Sequence, residues 1–138
     1  MLEEFLNKLL NFFSNKVSDD ECLSRYIFSS KHFNTKGIKS VAFIPSPKND
    51  ETSVFRISNL NDDDVWAIGH NHVARLRKQS LKARADLLAA GPRSLSLDVT
   101  PETTLHKLHA NIVNWPTERD DKIELAIDLA KMATLKSQ

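Results

Sequence analysis

Two short apolar alternations between Ser94 and Pro116 constrain the fold of this chain more than any other feature. Leu95, Leu97 and Val99 alternate with polar residues, Pro101 interrupts the run, and Ala110, Ile112 and Val113 resume it before Trp115-Pro116 closes the stretch. A period of two sends successive side chains to opposite faces of a sheet, so two strands are expected here. His106 and His109 fall between the runs, which sets the His109 imidazole at the start of a core strand. Imidazoles titrate near neutral pH and serve as general acids or bases, so His109 is the candidate catalytic residue; a hydrogen-bonded structural histidine is the competing reading.

The 138 residues suit one domain, residues 1–138, because single cores are commonly built from about 100 to 200 residues. No apolar run approaches the roughly 20 residues that span a bilayer, so no membrane association is expected. The lone Cys22 cannot close an intramolecular disulfide or supply a multi-thiolate metal site, and a cytoplasmic location is the expectation. Three glycines leave no phosphate-binding loop or dinucleotide fingerprint, and no cofactor or metal is implied. Gly69-His70-Asn71-His72 contains the letters of a nuclease name without its dispersed pattern, and His106 and His109 lack the repeated His-x-Ser or His-x-Thr of two-histidine phosphoesterases.

The N-terminal segment 1–17 repeats Leu2, Phe5, Leu6, Leu9, Leu10 and Phe13 at helical spacing, with acids where a secretory signal carries bases. It predicts an amphipathic helix that packs on the domain or meets a protein partner. Ser18 and Glu21 have the form of a capping box, predicting a second helix to about Phe28 with Arg25 at the boundary of its buried side. Residues 29–40 read as a loop. Val41–Ile44 and Thr52–Ser58 read as adjacent strands of a hairpin, the second with Ser53, Phe55 and Ile57 on one face and Val54 and Arg56 on the other. Asn61 followed by three aspartates predicts a helix from about residue 62, continuing to Arg77 or pausing at Gly69. Ser80 predicts another short helix ended by Gly91-Pro92, and Ile123, Ala126, Ile127 and Ala130 predict a long closing helix to about Thr134. The sum is a single α+β domain: three or four mostly antiparallel strands covered by helices.

Between Asp64 and Asp86 there is no acid, while Arg75, Arg77, Lys78, Lys82 and Arg84 all occur, with His70 and His72. Concentrated positive charge suits phosphates, and Trp66 adds an aromatic face for stacking on a base; a solvated helix face paired with acids elsewhere is the alternative. Arg25, Arg56 and Arg84 are expected to turn inward, where each needs a carboxylate or an anionic ligand. With Ser53 they form the candidate ligand-binding set.

The succession Ser24-Arg25-Tyr26-Ile27, Ser53-Val54-Phe55-Arg56, Arg84-Ala85-Asp86 and His109-Ala110-Asn111-Ile112 through Trp115-Pro116 resembles a group of small bacterial proteins to which no activity is attached. The resemblance spans about residues 23–130, implies a bacterial source and no catalytic residues, and leaves the N-terminal helix outside. Three functions are consistent with these features. The first is a cytoplasmic accessory or binding module for an anionic partner, nucleic acid or phosphate-bearing ligand. The second is metal-independent phosphoryl or phosphodiester chemistry by His109 with arginines. The third is an interaction subunit, inhibitor or immunity factor using the N-terminal helix.

Overall fold

The computed structural model describes residues 1–6 and 16–138. Its centre is a six-stranded antiparallel sheet, two strands more than the largest number the sequence suggests. In chain order, the strands among the described residues are β1 (Cys22–Ile27), β2 (Phe33–Asn34), β3 (Gly37–Ile38), β4 (Thr52–Arg56), β5 (Ala83–Leu88), β6 (Asp98–Pro101), β7 (His109–Val113) and β8 (Thr134–Lys136). The main sheet is ordered β6-β7-β4-β1-β5-β8, and β2 and β3 form a separate two-stranded ribbon.

The predicted helix over 18–28 is instead a turn followed by the inner strand β1. Glu21 does reach back, its Oε2 accepting from the Ser18 amide at 2.7 Å, but the Glu21 amide donates to the Ser18 carbonyl at 3.1 Å and closes a turn. Beyond it the chain pairs with β5 from Cys22↔Leu88 to Ile27↔Ala83. Residues of a strand covered on both faces are apolar without clean alternation, and Cys22, Leu23, Tyr26 and Ile27 therefore also satisfy a helical period. The segment 80–90 is likewise strand β5, not a helix: Ala83, Ala85 and Leu87 join the main core, while Arg84 and Asp86 point to the other face.

Val41–Ile44 is not a strand, and no hairpin joins it to β4. Ser40–Ala42 forms a single 3-10 turn, with Ala42 and Phe43 both buried at 1% and 0% exposure. Two consecutive inward side chains break the alternation a strand requires, and Pro45 and Pro47 remove ladder donors. β4 pairs instead with β1 and β7, and its faces divide as its alternation predicts. The segment read as a loop carries the Ser30–His32 turn and the β2–β3 ribbon.

Two helical layers cover the sheet. Helix α1 (Asp62–Ile68) starts where predicted, with the Asn61 side chain accepting from the Asp64 amide at 2.8 Å. It runs on through a π-helical segment, Gly69–Val73, into α2 (Ala74–Arg77), which stops at Lys78 in the left-handed conformation. A side chain at Gly69 would sit 2.7 Å from the Tyr26 ring and 2.6 Å from Leu81, so this glycine lets the helix lie directly on the sheet. Tyr26, Phe55, Ile57 and Val65 form the apolar cluster beneath. The opposite face holds the larger core, closed by a short helix α3 (Ala90–Ser94) and the predicted closing helix α4 (Arg119–Met132) through Ala126, Leu129 and Ala130. The chain then adds the edge strand β8, which the sequence had not suggested.

Of the N-terminal segment, residues 2–6 are helical and Leu2, Phe5 and Leu6 are exposed; Leu9, Leu10 and Phe13 of the predicted stripe lie outside the described residues. No helix among the described residues is long and apolar enough to cross a membrane.

Candidate functional site

Each of the three candidate arginines has a different environment. Arg56 is on the face of β4 opposite Phe55 and is neutralised by Glu21, with Nε to Oε1 at 2.7 Å and Nη2 to Oε2 at 2.9 Å. Arg84 is 1% exposed and held by Asp62 at 2.6 Å and Asp86 at 3.3 Å. Trp66 lies over its guanidinium at 4.8 Å, so the indole face is occupied by Arg84 and buried instead of being offered to a base.

Among the described residues no carboxylate pairs with Arg25. The register of β1 with β4 covers Leu23↔Arg56 and Ser24↔Phe55. Past it, the guanidinium does the work of ladder amides: Nη1 donates to the Ser53 carbonyl at 3.0 Å and Nε to the Ala42 carbonyl at 2.9 Å. Burial, together with the positive charge of Arg77, pushes its pKa down to about 10. Arg77 itself stands over the Phe28 ring, Cζ 4.9 Å from the centroid; the residue is exposed as a whole, but the partial desolvation of its guanidinium lowers its pKa. His32, on the Ser30–His32 turn, is lowered by burial and then by Arg25 and Arg77. Three basic groups therefore share one region in which no acid contributes to any of their shifts. Like charges brought together without a counter-ion raise the energy of the free protein, and an arriving anion relieves that cost.

This cluster unites two acid-free segments. One is the run after Asp64; the other, which is longer, extends from Cys22 to Asn49, with Arg25, Lys31, His32, Lys36, Lys39 and Lys48. Sequence reading missed His32 and Lys31, although the gap between Glu21 and Asp50 was visible. Among the described residues Arg75, Arg77, Lys78 and Lys82 make no ion pair and are exposed, and Arg75 and Lys78 border an open depression with His70 and Gln79.

The sign of the His32 shift allows a test. Its folded pKa lies below the ordinary 6.5, so its contribution to stability is present above that value and is lost as pH falls toward the folded pKa. An anion beside Arg25 and Arg77 removes the repulsion, raises the His32 pKa and takes up protons. In an NMR titration, the His32 pKa is expected to move upward on adding phosphate. A His32 titration insensitive to phosphate would exclude an anion at this cluster.

His109 lies elsewhere. It begins β7, opposite Phe55, on the same face as Ser53 and Asn111. Ser53 Oγ is 2.7 Å from His109 Nε2, and His109 Nδ1 is 2.7 Å from the Glu102 carbonyl and 3.2 Å from Glu102 Oε2. A carbonyl oxygen only accepts, so Nδ1 carries the proton; in the neutral ring Nε2 then accepts from the Ser53 hydroxyl. Arg56 faces away from this group, and Arg84 on β5 is three strand spacings from β7, roughly 14 Å. The structure thus brings Ser53 and His109 together and adds Glu102; Arg56 and Arg84 stand apart from both, and Arg25 meets Ser53 through its main-chain carbonyl.

His106 is a neighbour that packs by ring edges, 5.4 Å from Phe55 and 4.9 Å from His72. Its Nδ1 accepts from the Leu108 amide at 3.0 Å, and burial followed by the charges of His72, Lys107 and His109 lowers its pKa. Among the described residues no three His, Cys, Asp or Glu side chains are placed to hold a metal ion.

No family model, curated protein or solved structure matches this chain.

Proposed function

We propose that this chain is a binding module for a phosphate-bearing partner, nucleic acid or a smaller phosphate ligand, received where β1, the Ser30–His32 turn and α2 meet. The observation that supports it is Arg25, fixed by two main-chain carbonyls, its pKa lowered by burial and then by Arg77, with no carboxylate paired to it among the described residues. A guanidinium already oriented by two hydrogen bonds loses little further freedom on binding an anion through its remaining donors. Lys31, Arg75, Lys78 and Lys82 widen the positive surface around it and suit a polyanion better than a single ion.

The test is fluorescence anisotropy with a labelled single-stranded oligonucleotide of about 12 nucleotides, titrated over a range of salt. Binding at low ionic strength that weakens with salt is expected, as is a loss of about tenfold or more in Arg77→Glu. Lys131→Glu makes the same charge change on α4 and is expected to lose far less. Competition by inorganic phosphate separates a small-ligand site from a strand-binding surface. Absence of binding at low salt, or equal losses in the two variants, would remove the proposal.

A further inference from the structure

We infer that Ser53 is an activated nucleophile that attacks carboxylic esters, with His109 as its base. This second site uses different side chains from the anion-binding reading: Arg25 Nη1 meets the main-chain carbonyl of Ser53, which Ser53→Ala retains, while the Ser53 hydroxyl meets His109.

Three observations converge on it. The hydroxyl and the imidazole are within 2.7 Å, and the Glu102 carbonyl fixes the tautomer in which Nε2 can take the hydroxyl proton. The Glu102 carboxylate, 3.2 Å from Nδ1, is placed to favour the imidazolium that proton transfer creates. A base oriented by a third group is the arrangement that activates a serine, whatever the fold around it. Finally, Ser53 and His109 are both half-buried, not sealed in the core; their cross-strand row continues through the buried Asn111 to the exposed Thr100. The helical layer covers Tyr26, Phe55 and Ile57 on this face.

The surroundings select the electrophile. Phosphoryl transfer develops charge that cations must clamp, and here a carboxylate lies behind the His109 ring, Arg25 directs two donors to the Ser53 and Ala42 carbonyls, and Arg56 and Arg84 are engaged by acids elsewhere. An uncharged carbonyl carbon fits. In the reaction Ser53 Oγ bonds to that carbon as its proton passes to His109 Nε2; the ester C–O bond then breaks, and the alcohol leaves with the proton. Water repeats the sequence, releases the acid and restores Ser53. Asn111 is the cross-strand partner of Ser53, and its Nδ2 donates one hydrogen to Glu51 at 2.9 Å. An amide nitrogen carries two, so a second donor remains for the oxyanion.

The experiment uses the intact chain with a fluorophosphonate probe, followed by peptide mapping in a mass spectrometer and by hydrolysis of p-nitrophenyl acetate. A single adduct on Ser53 is expected, absent in Ser53→Ala and formed about 100-fold more slowly in His109→Gln, with ester turnover falling in parallel. Glu102→Gln keeps the tautomer through the main-chain carbonyl but loses the charge, and a slowing of about tenfold is expected. Mapping on the unaltered chain needs no variant to fold. No adduct, an adduct on another residue, or a Ser53 adduct formed equally fast in a folded His109→Gln variant overturns the inference, whereas oligonucleotide binding is untouched by any of these results.

Discussion

Arg84→Ala is expected to lower the unfolding free energy by about 3 to 5 kcal/mol, measured by urea denaturation at neutral pH. The guanidinium is 1% exposed and the Asp86 side chain 8%, so removing the cation leaves a carboxylate in the interior with only Lys136, at 3.6 Å, still near it. The substitution also empties the space beneath Trp66. Asp62 would lose the hydrogen bond and charge of Arg84 that hold its pKa below the ordinary 3.8. A depressed carboxylate contributes stability above its unfolded pKa and loses it as pH falls through the folded one, so Arg84→Ala should also flatten the acid limb of the stability profile.

The converse experiment is equally informative. Arg84 Nη1, Asp86 Oδ1 and the neighbouring Ser24 Oγ are buried and find no hydrogen-bond partner among the described residues. The pair is therefore incompletely satisfied, and desolvation offsets much of its attraction. Arg84→Met combined with Asp86→Leu is expected to fall within about 1 kcal/mol of the parent. A double variant as unstable as Arg84→Ala would show that the ion pair itself, not the avoidance of a lone charge, stabilises the sheet.

Phe43→Ala should be comparably damaging, at about 3 to 5 kcal/mol in the same assay, with Phe43→Leu costing much less. Phe43 is completely buried, yet it lies in a turn. That turn cannot readily collapse into the space left behind, because its main chain is tied on both sides: Arg25 Nε donates to the Ala42 carbonyl, and Thr52 Oγ1 donates to the Phe43 carbonyl at 2.8 Å. A cavity that cannot close retains its full cost. A loss below about 1 kcal/mol would mean that the turn is a dispensable connection.

Features that depend on a few consecutive residues were readable in advance. Asn61 caps α1 because its side chain needs only the amide three residues on, and α4 follows the period of its own apolar face. The opposed faces of β4 and the position of His109 at the head of β7 follow from alternation in the same way. The misread elements were those whose identity is set by distant partners. Ser18 and Glu21 form the local bond that a capping box predicts, but the next residues are claimed by β4 and β5, and tertiary pairing overrides the helical period. Ala83–Leu88 is rich in helix formers and becomes a strand for the same reason.

The candidate sites divide along the same line. Charge spacing along the chain already marked Arg77 and its basic neighbours, and residue chemistry marked Arg25, Ser53 and His109. Neither could say that Arg56 and Arg84 would be answered by Glu21, Asp62 and Asp86 while Arg25 would have no carboxylate, because those acids lie 2 to 35 positions away from the arginines they meet. Nor could they join Ser53 to His109 across 56 residues and add Glu102 behind the ring. Local composition determined which side chains were available for binding and proton transfer. Strand order decided which of them met, since a hydrogen bond or ion pair depends on ångström distances that sequence separation does not encode.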